Sequence, residues 1–184
     1  MSAAIRDHQG VLEFWFDPEN KPHWFKQNDA FDQAIAERLG PLHGRAQAGE
    51  IDGWAVEPGG LLALVILLDQ VPRNLHRGTP EAFATDAKAL ALARLGVDQR
   101  MDQGLDVDQR AFFYLPFEHA EDLADQERAV ALFRELGNAT YLDFAIRHRD
   151  VIARFGRFPH RNAILGRESS AAERQFLETP GSSF

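Results

Sequence analysis

The sequence predicts an all-α protein whose helices stack as antiparallel pairs around one core. Three observations carry this prediction. Apolar residues recur at three- and four-residue spacing, and helix-capping or helix-ending residues separate the periodic segments. A third is that only one run could be a buried strand, and no second strand candidate exists to pair with it. The 184 residues are expected to form a single domain, 1–184, with about eight or nine helices.

The expected helices of the first half are amphipathic or apolar runs bounded by Gly, Pro or a capping residue. They span residues 10–16, 28–49, 61–68 and 79–95. Asn28 is expected to cap the second, which Pro41 kinks or interrupts. The run 61–68 could be a strand or a helix, and leucine and alanine favour the helix. Thr79 and Pro80 form a strong helix start, and Gly96 is expected to end that helix.

The expected helices of the second half span residues 106–115, 121–136, 138–155 and 170–177. Pro116 is expected to stop the first, which leaves His119 in a helix-entry loop. Gly137 ends the second. The last begins with a capping box, in which Ser170 and Glu173 exchange hydrogen bonds with each other's backbone.

Composition excludes several classes of function. The chain has no cysteine, so disulfides and thiolate chemistry are ruled out. Its net charge of −8 argues against general nucleic-acid binding. The first seven residues hold no apolar signal core, and the longest apolar run, 61–68, is far shorter than the ~20 residues that cross a bilayer. We therefore expect a cytoplasmic protein with no membrane partner.

Two Arg-Asn elements, Arg73-Asn74 and Arg161-Asn162, predict an anion site. Each follows a proline closely and stands near the end of an apolar helical run, and a guanidinium group matches carboxylate or phosphate bidentately. The second lies in a segment, 147–167, with six arginines and one acid. The candidate ligand-binding residues are Arg73, Asn74, Arg77, Arg157, His160, Arg161, Asn162 and Arg167. The alternative is structural: the arginines pair with nearby acids such as Asp69 and Asp86, and the asparagines form turns.

Candidates for proton transfer are His119, Glu121 and His160, because histidine titrates near neutrality. A metal set of His119, Glu121, His148 and His160 lacks any recognised ligand spacing, so we predict no metal site. His148 on its apolar stripe is expected to be a core or groove histidine. No phosphate-binding loop, nucleophile elbow or dinucleotide fingerprint occurs, so no cofactor is expected.

Several motifs together resemble a bacterial family known only as domain of unknown function 924. They are the segments 11–16, 67–78, 114–121 and 154–162, with Trp24-Phe25, Ala82-Phe83 and Asp86. The resemblance implies a helical fold similar to tetratricopeptide-repeat proteins and no established activity, although no 34-residue repeat is visible. Ala120 stands where the family pattern is expected to carry a serine.

Three functions remain open from the sequence. The first is a binding module whose groove holds an anionic small molecule or an acidic peptide. The second is an enzyme acting on a phosphorylated or carboxylated metabolite, with His119 or His160 moving a proton and Glu121 orienting it. The third is a structural protein whose arginine loops lock helix pairs. Clustering of His119 and His160 in one pocket would favour the enzyme. A homodimer through the aromatic N-terminal region also stays open.

Overall fold

A computed structural model describes residues 5–182, and every regular element in that range is helical, which confirms the all-α prediction. The α-helices are α1 (His8–Trp15), α2 (Asp29–Arg38), α3 (Gly40–Ala48), α4 (Pro58–Val65), α5 (Val71–Leu75), α6 (Asp86–Asp98), α7 (Val107–Glu118), α8 (Leu123–Leu136), α9 (Ala139–Phe155) and α10 (Ala171–Leu177). Short 3-10 turns occur at Lys21–His23, Asp52–Val56, Pro80–Phe83 and Pro159–Arg161. The expected absence of a signal core rests partly on residues 1–4, which lie outside the described residues.

A π-helical turn, Ile66–Gln70, joins α4 to α5. Together α4, the π turn and α5 form one continuous rod. Counted as a single helix, this rod brings the number of helices over residues 5–182 to nine, in line with the expected number. The choice of helix over strand for 61–68 is therefore confirmed. The likeness to tetratricopeptide folds stays a prediction.

The π turn leaves backbone carbonyls without a helical hydrogen-bond partner, and side chains then donate to them. Val71 donates its N–H to Ile66, five residues back, instead of to Leu67. The Leu67 carbonyl accepts a hydrogen bond from His43 Nδ1 at 2.8 Å. A buried carbonyl needs such a partner, so α3 is fixed against the turn.

Pro72 continues the same effect one residue later. Proline has no N–H, so it cannot donate to the carbonyl of Leu68 four residues back. The hydroxyl of Thr85 donates to that carbonyl at 2.5 Å. The rod is therefore held on the side facing the start of α6, and Asp69 and Gln70 within the π turn are both buried.

The core is built around α4, whose residues 60–65 are buried. It packs against α1, α6 and α7, while α7, α8 and α9 pack in succession. At Gly60 an added Cβ would lie 2.1 Å from the carbonyl oxygen of Trp54, so only glycine allows this approach. None of the described helices is long and apolar enough to cross a bilayer.

Two helix boundaries differ from the sequence prediction. The helix expected over 79–95 is divided: a 3-10 turn covers Pro80–Phe83, and α6 begins at Asp86. Gly96 lies inside α6 instead of ending it, because the helix passes so close to Phe113 that an added Cβ would sit 2.2 Å from its ring. The contact at Gly96 is tertiary, and the periodicity of the sequence does not report it.

The end of α7 also differs. Pro116 lies inside the helix, which continues to Glu118 and has His119 as its C-cap. Proline removes one hydrogen bond without ending a helix when it stands in the last turn. His119 is therefore held at the end of a rigid helix and not in an entry loop.

Candidate functional site

A cavity of about 360 Å³ opens where α5, the end of α7 and the 159–161 turn meet the loop before α2. It brings together side chains from widely separated parts of the chain. Its lining consists of Trp24, Phe25, Lys26, Gln27, Gln70, Arg73, Asn74, Arg77, Gly78, Ala82, Phe83, His119, His148, His160, Arg161 and Ile164. The two Arg-Asn elements thus meet at one place through Arg73, Asn74 and Arg161.

His119 and Asp69 form a dyad at this cavity. His119 Nδ1 lies 2.8 Å from Asp69 Oδ1 and 3.0 Å from Oδ2. The Asp69 side chain is fully buried, whereas that of His119 is 15% exposed and lines the cavity. Because Nδ1 is bound to the carboxylate, Nε2 is the ring nitrogen left to interact with a ligand.

The charges around the dyad keep Asp69 ionised and His119 neutral near pH 7. Burial would raise the pKa of Asp69, but Arg73 and then His119 outweigh it and hold that pKa well below its usual range. Burial and Arg73 lower the pKa of His119, and Asp69 opposes them only in part. A neutral His119 whose Nδ1 donates to Asp69 has a proton acceptor at Nε2.

Arg73 is already paired within the protein. Its Nη1 and Nη2 bind the two oxygens of Asp86 at 2.8 and 3.0 Å. Nη1 also donates to the backbone carbonyl of Asp69. Most of its donors are therefore committed to holding the π turn against α6, as the structural alternative anticipates.

Arg161 is less completely paired. It is 7% exposed, and its guanidinium lies over the rings of Phe83 and Phe158 at 4.7 and 4.5 Å. Its contact with Asp86 is 3.5 Å, beyond ordinary hydrogen-bond range, and its Nε has no hydrogen-bond partner among the described residues. Burial and the nearby Arg73 lower its pKa to about 10. An incoming anion would relieve this buried charge.

Asn74 and Arg77 line the cavity but are held by Asp32 of α2. Asn74 Nδ2 lies 2.7 Å from Asp32 Oδ1, and Arg77 binds both Asp32 oxygens at 2.7 and 2.9 Å. These bonds fasten α5 to α2. They leave little donor capacity on either side chain for a ligand.

Two further histidines line the same cavity. Burial, followed by Arg161, lowers the pKa of His160 to about 4. Burial lowers the pKa of His148 to about 3, although its Nδ1 donates to the carbonyl of Phe144 at 2.8 Å. The expectation that His148 is a core or groove residue is consistent with this position. His119 and His160, the two acid–base candidates, thus share one cavity.

The remaining candidates form a second polar cluster around α10. Arg157 binds Glu173 at 2.7 and 2.9 Å, and Asn162 donates to Ser169 at 3.0 Å. Arg167 binds both oxygens of Glu121 at 2.6 and 2.8 Å. The Arg157–Glu173 bond joins a loop to α10, whereas the other two join loop residues to each other.

Glu121 also accepts the N–H of Phe158 at 2.7 Å. Its carboxylate is thus used in fixing the 157–167 segment, and Asp69 takes the place beside His119 that the sequence suggested for Glu121. Adjacency along the chain was misleading because Glu121 follows the end of α7 and points to the loop after α9.

Asp69 is the main site residue that sequence reasoning treated only as a structural partner. The sequence did carry a signal for a role of Asp69, because this carboxylate directly follows the eight-residue apolar run 61–68. A carboxylate that continues a buried helix requires a buried partner. Gln70, which donates to Asp69 Oδ2 at 2.6 Å, and the aromatic wall of Trp24, Phe25 and Phe83 were also not identified.

Across residues 5–182, no group of three or more His, Cys, Asp or Glu side chains is arranged to hold a metal ion.

Comparison with known proteins gives a family and one close solved structure. A family model described as "Bacterial protein of unknown function (DUF924)" matches residues 11–181. A solved structure of a protein of unknown function, ATU0120, from Agrobacterium tumefaciens is 44% identical. The alignment covers 93% of this chain and 96% of that one, with a TM-score of 0.89. A search of curated proteins gives no match.

Proposed function

The chain belongs to the DUF924 family of bacterial proteins of unknown function, and we propose that it is an acid–base enzyme acting on an anionic small molecule. The observation that carries this proposal is the Asp69–His119 dyad, with 2.8 Å between Oδ1 and Nδ1, at a cavity that Arg161 also lines. A binding module needs the arginine, whereas a neutral imidazole oriented by an ionised carboxylate is the arrangement of a general base. The enzyme is therefore preferred to the binding module.

His119 has the role of general base. Its Nε2 accepts a proton from the substrate or from a water molecule, and the negative charge of Asp69 stabilises the imidazolium that forms. Asp69 keeps its own charge throughout, since its pKa is held far below neutrality. Because burial and Arg73 disfavour the charged imidazole, the proton is readily returned in the second half of the reaction.

Arg161 has the role of anion binder. Its guanidinium is buried and lines the cavity, and its nearest carboxylate, that of Asp86, lies 3.5 Å away. Binding the anionic group there would place the rest of the molecule beside His119, so that the proton transfer becomes intramolecular in effect. His160 lines the same cavity as a neutral ring and supplies a second polar contact.

Metabolite depletion tests the proposal on many candidate substrates at once. The purified protein is incubated with a filtered bacterial metabolite extract, and mass spectrometry identifies anions that are consumed. We expect wild-type protein to consume at least one carboxylate or phosphate compound and His119→Gln to be at least about 100-fold slower, the range for loss of a general base. His8→Gln, which alters a histidine outside the cavity, is the matched control.

Two outcomes would contradict the enzyme. Equal consumption by wild type and His119→Gln would remove the dyad from the chemistry. Binding of anions with no consumption of any would return the protein to the binding-module class. A cytoplasmic location, which fits the absence of cysteine, and a homodimer remain proposals beside it.

A further inference from the structure

We infer that the ligand of this cavity is a monocarboxylate joined to an apolar, preferably aromatic, body. The inference rests on the anion-binding part of the proposed function and specifies its chemistry. Two features carry it: the number of cations left unpaired inside the cavity, and the placement of its aromatic side chains.

The pairing of cations sets the charge of the ligand. Arg73 is bound bidentately by Asp86, and Arg77 is bound bidentately by Asp32. Arg161 is the buried cation of the cavity lining that lacks a carboxylate at hydrogen-bonding distance, its nearest being Asp86 at 3.5 Å. One guanidinium fork matches one carboxylate.

A dianionic phosphate fits this environment less well. Its second charge would need another desolvated cation, and the remaining one, Lys26, is solvent-exposed and therefore screened. The ionised carboxylate of Asp69 directly behind His119 would also repel a second negative charge. A single negative charge satisfies Arg161 without leaving an excess.

The aromatic residues define the other end of the ligand. Trp24 uses its Nε1 in a 2.9 Å hydrogen bond to the carbonyl of Trp15, so only its ring carbons are offered to the cavity. Phe25 is 62% exposed although it lines the cavity, and it stacks on Phe112 at 5.8 Å with 4° between the rings. An exposed phenylalanine stacked on a buried ring offers an apolar contact to a ligand.

Burial orders the two ends. Arg161, at 7% exposure, lies deep in the cavity, whereas Phe25, at 62%, lies at its mouth. A ligand whose carboxylate binds Arg161 and whose body extends to the mouth of the cavity would place that body against Phe25. The volume of about 360 Å³ falls in the usual range for small-molecule sites and exceeds what a bare inorganic anion fills.

Isothermal titration calorimetry on the full chain tests the inference with matched probes. These are phenylacetate, acetate, phenyl phosphate and inorganic phosphate at one pH and ionic strength. We expect phenylacetate to bind at least about tenfold more tightly than each of the other three. If acetate binds as tightly as phenylacetate, the ligand needs no apolar body and that part of the inference is wrong. If either phosphate compound binds more tightly than phenylacetate, the head group is a phosphate and not a carboxylate.

Variants assign the two ends. Arg161→Lys, which keeps the charge but loses the fork, should weaken phenylacetate binding about tenfold or more, with Arg149→Lys on the surface as control. Phe25→Ala should weaken phenylacetate binding at least about fivefold, while Phe144→Ala, an exposed phenylalanine outside the cavity, should not. Unchanged affinity in Arg161→Lys or in Phe25→Ala would overturn the assignment of that end.

The outcome is separable from that of the proposed function. Failure of every carboxylate to bind, alongside consumption of a phosphate compound that depends on His119, would refute the ligand class and leave the enzyme standing. Tight binding of phenylacetate without consumption of any metabolite would support the ligand class and refute the enzyme.

Discussion

Glu118 Oε1 lies 3.2 Å from His148 Nδ1, and both side chains are about 5% exposed. Neither partner is charged near neutrality, because burial, and then the charge of Asp69, raises the pKa of Glu118 to about 8, and burial lowers that of His148 to about 3. The contact is therefore a close approach of two neutral groups and not an ion pair, and the Nδ1 proton of His148 is already donated to the Phe144 carbonyl. This contact lies behind the cavity, where the ring of His148 is 6.4 Å from that of His119.

Glu118→Gln should change how stability depends on pH. The folded-state pKa of Glu118, about 8, exceeds the ordinary 4.5, so its contribution to stability is present below pH 4.5 and is lost as pH rises towards 8. Glutamine cannot ionise, so the variant should gain on wild type by up to about 1.4 kcal/mol per pH unit in that window. Urea unfolding at pH 5, 6, 7 and 8 measures the difference, and parallel curves would contradict a protonated Glu118.

Asp69→Asn should lower the pKa of His119. The negative charge of Asp69 raises that pKa, and the amide keeps the hydrogen-bonding shape but not the charge. Side-chain NMR titration of the histidines gives the value directly. Asp52→Asn, which alters a half-exposed carboxylate beside Lys88, should leave it unchanged. An unaltered His119 titration in Asp69→Asn would show that the dyad does not set the charge state of the ring.

Glu121→Gln should destabilise the fold without affecting the cavity. Arg167 would lose its ionic partner, and about 1–2 kcal/mol of stability at pH 7 should follow for a pair that is one-quarter exposed. Burial raises the pKa of Glu121, but Arg167 and the Phe158 N–H together outweigh it and lower that pKa, so the loss should shrink as pH falls from 4.5 through the lowered pKa and the wild-type carboxylate becomes protonated.

Urea unfolding and phenylacetate calorimetry on the same Glu121→Gln protein check this pair of expectations. Arg149→Gln, at an exposed ion pair, should change stability by less than about 0.5 kcal/mol. Loss of ligand binding in a folded Glu121→Gln protein would place Glu121 in the site after all.

Gly60→Ala should destabilise the core, since the new Cβ would meet the backbone oxygen of Trp54 at 2.1 Å. Backbone cannot rotate away, so about 1–3 kcal/mol is expected. Gly44→Ala in α3 is the matched control: its Cβ would have no neighbour within 4 Å, and alanine should stabilise the helix by about 0.5–1 kcal/mol. Thermal unfolding distinguishes the two, and equal effects would exclude the close α4 contact.

Local chemistry made the helices predictable. Asn28 caps α2 by accepting the N–H of Phe31, and Ser170 and Glu173 form the expected capping box. Gly49 and Gly137 end α3 and α8 with φ of 81° and 78°. Such signals act over three or four residues, so they are legible in the sequence.

The sequence also identified Arg73, Arg161, His119 and His160 as side chains suited to anion binding and proton transfer. It could not indicate which arginines are already neutralised, because Arg73 meets Asp86 through the packing of α5 and α6, and Arg167 meets Glu121 through the contact of two loops that are distant in the chain.

Pairing across long separations was decided by tertiary structure alone. Asp69 and His119 are fifty residues apart, and they meet because a π turn in one helix lies against the C-terminus of another. Charge state follows the same rule: burial and neighbouring charges determine a pKa, and both exist only after the helices pack. The sequence by itself determined the helices and the reactive groups, whereas packing decided which arginine retains unused donors and which carboxylate orients His119.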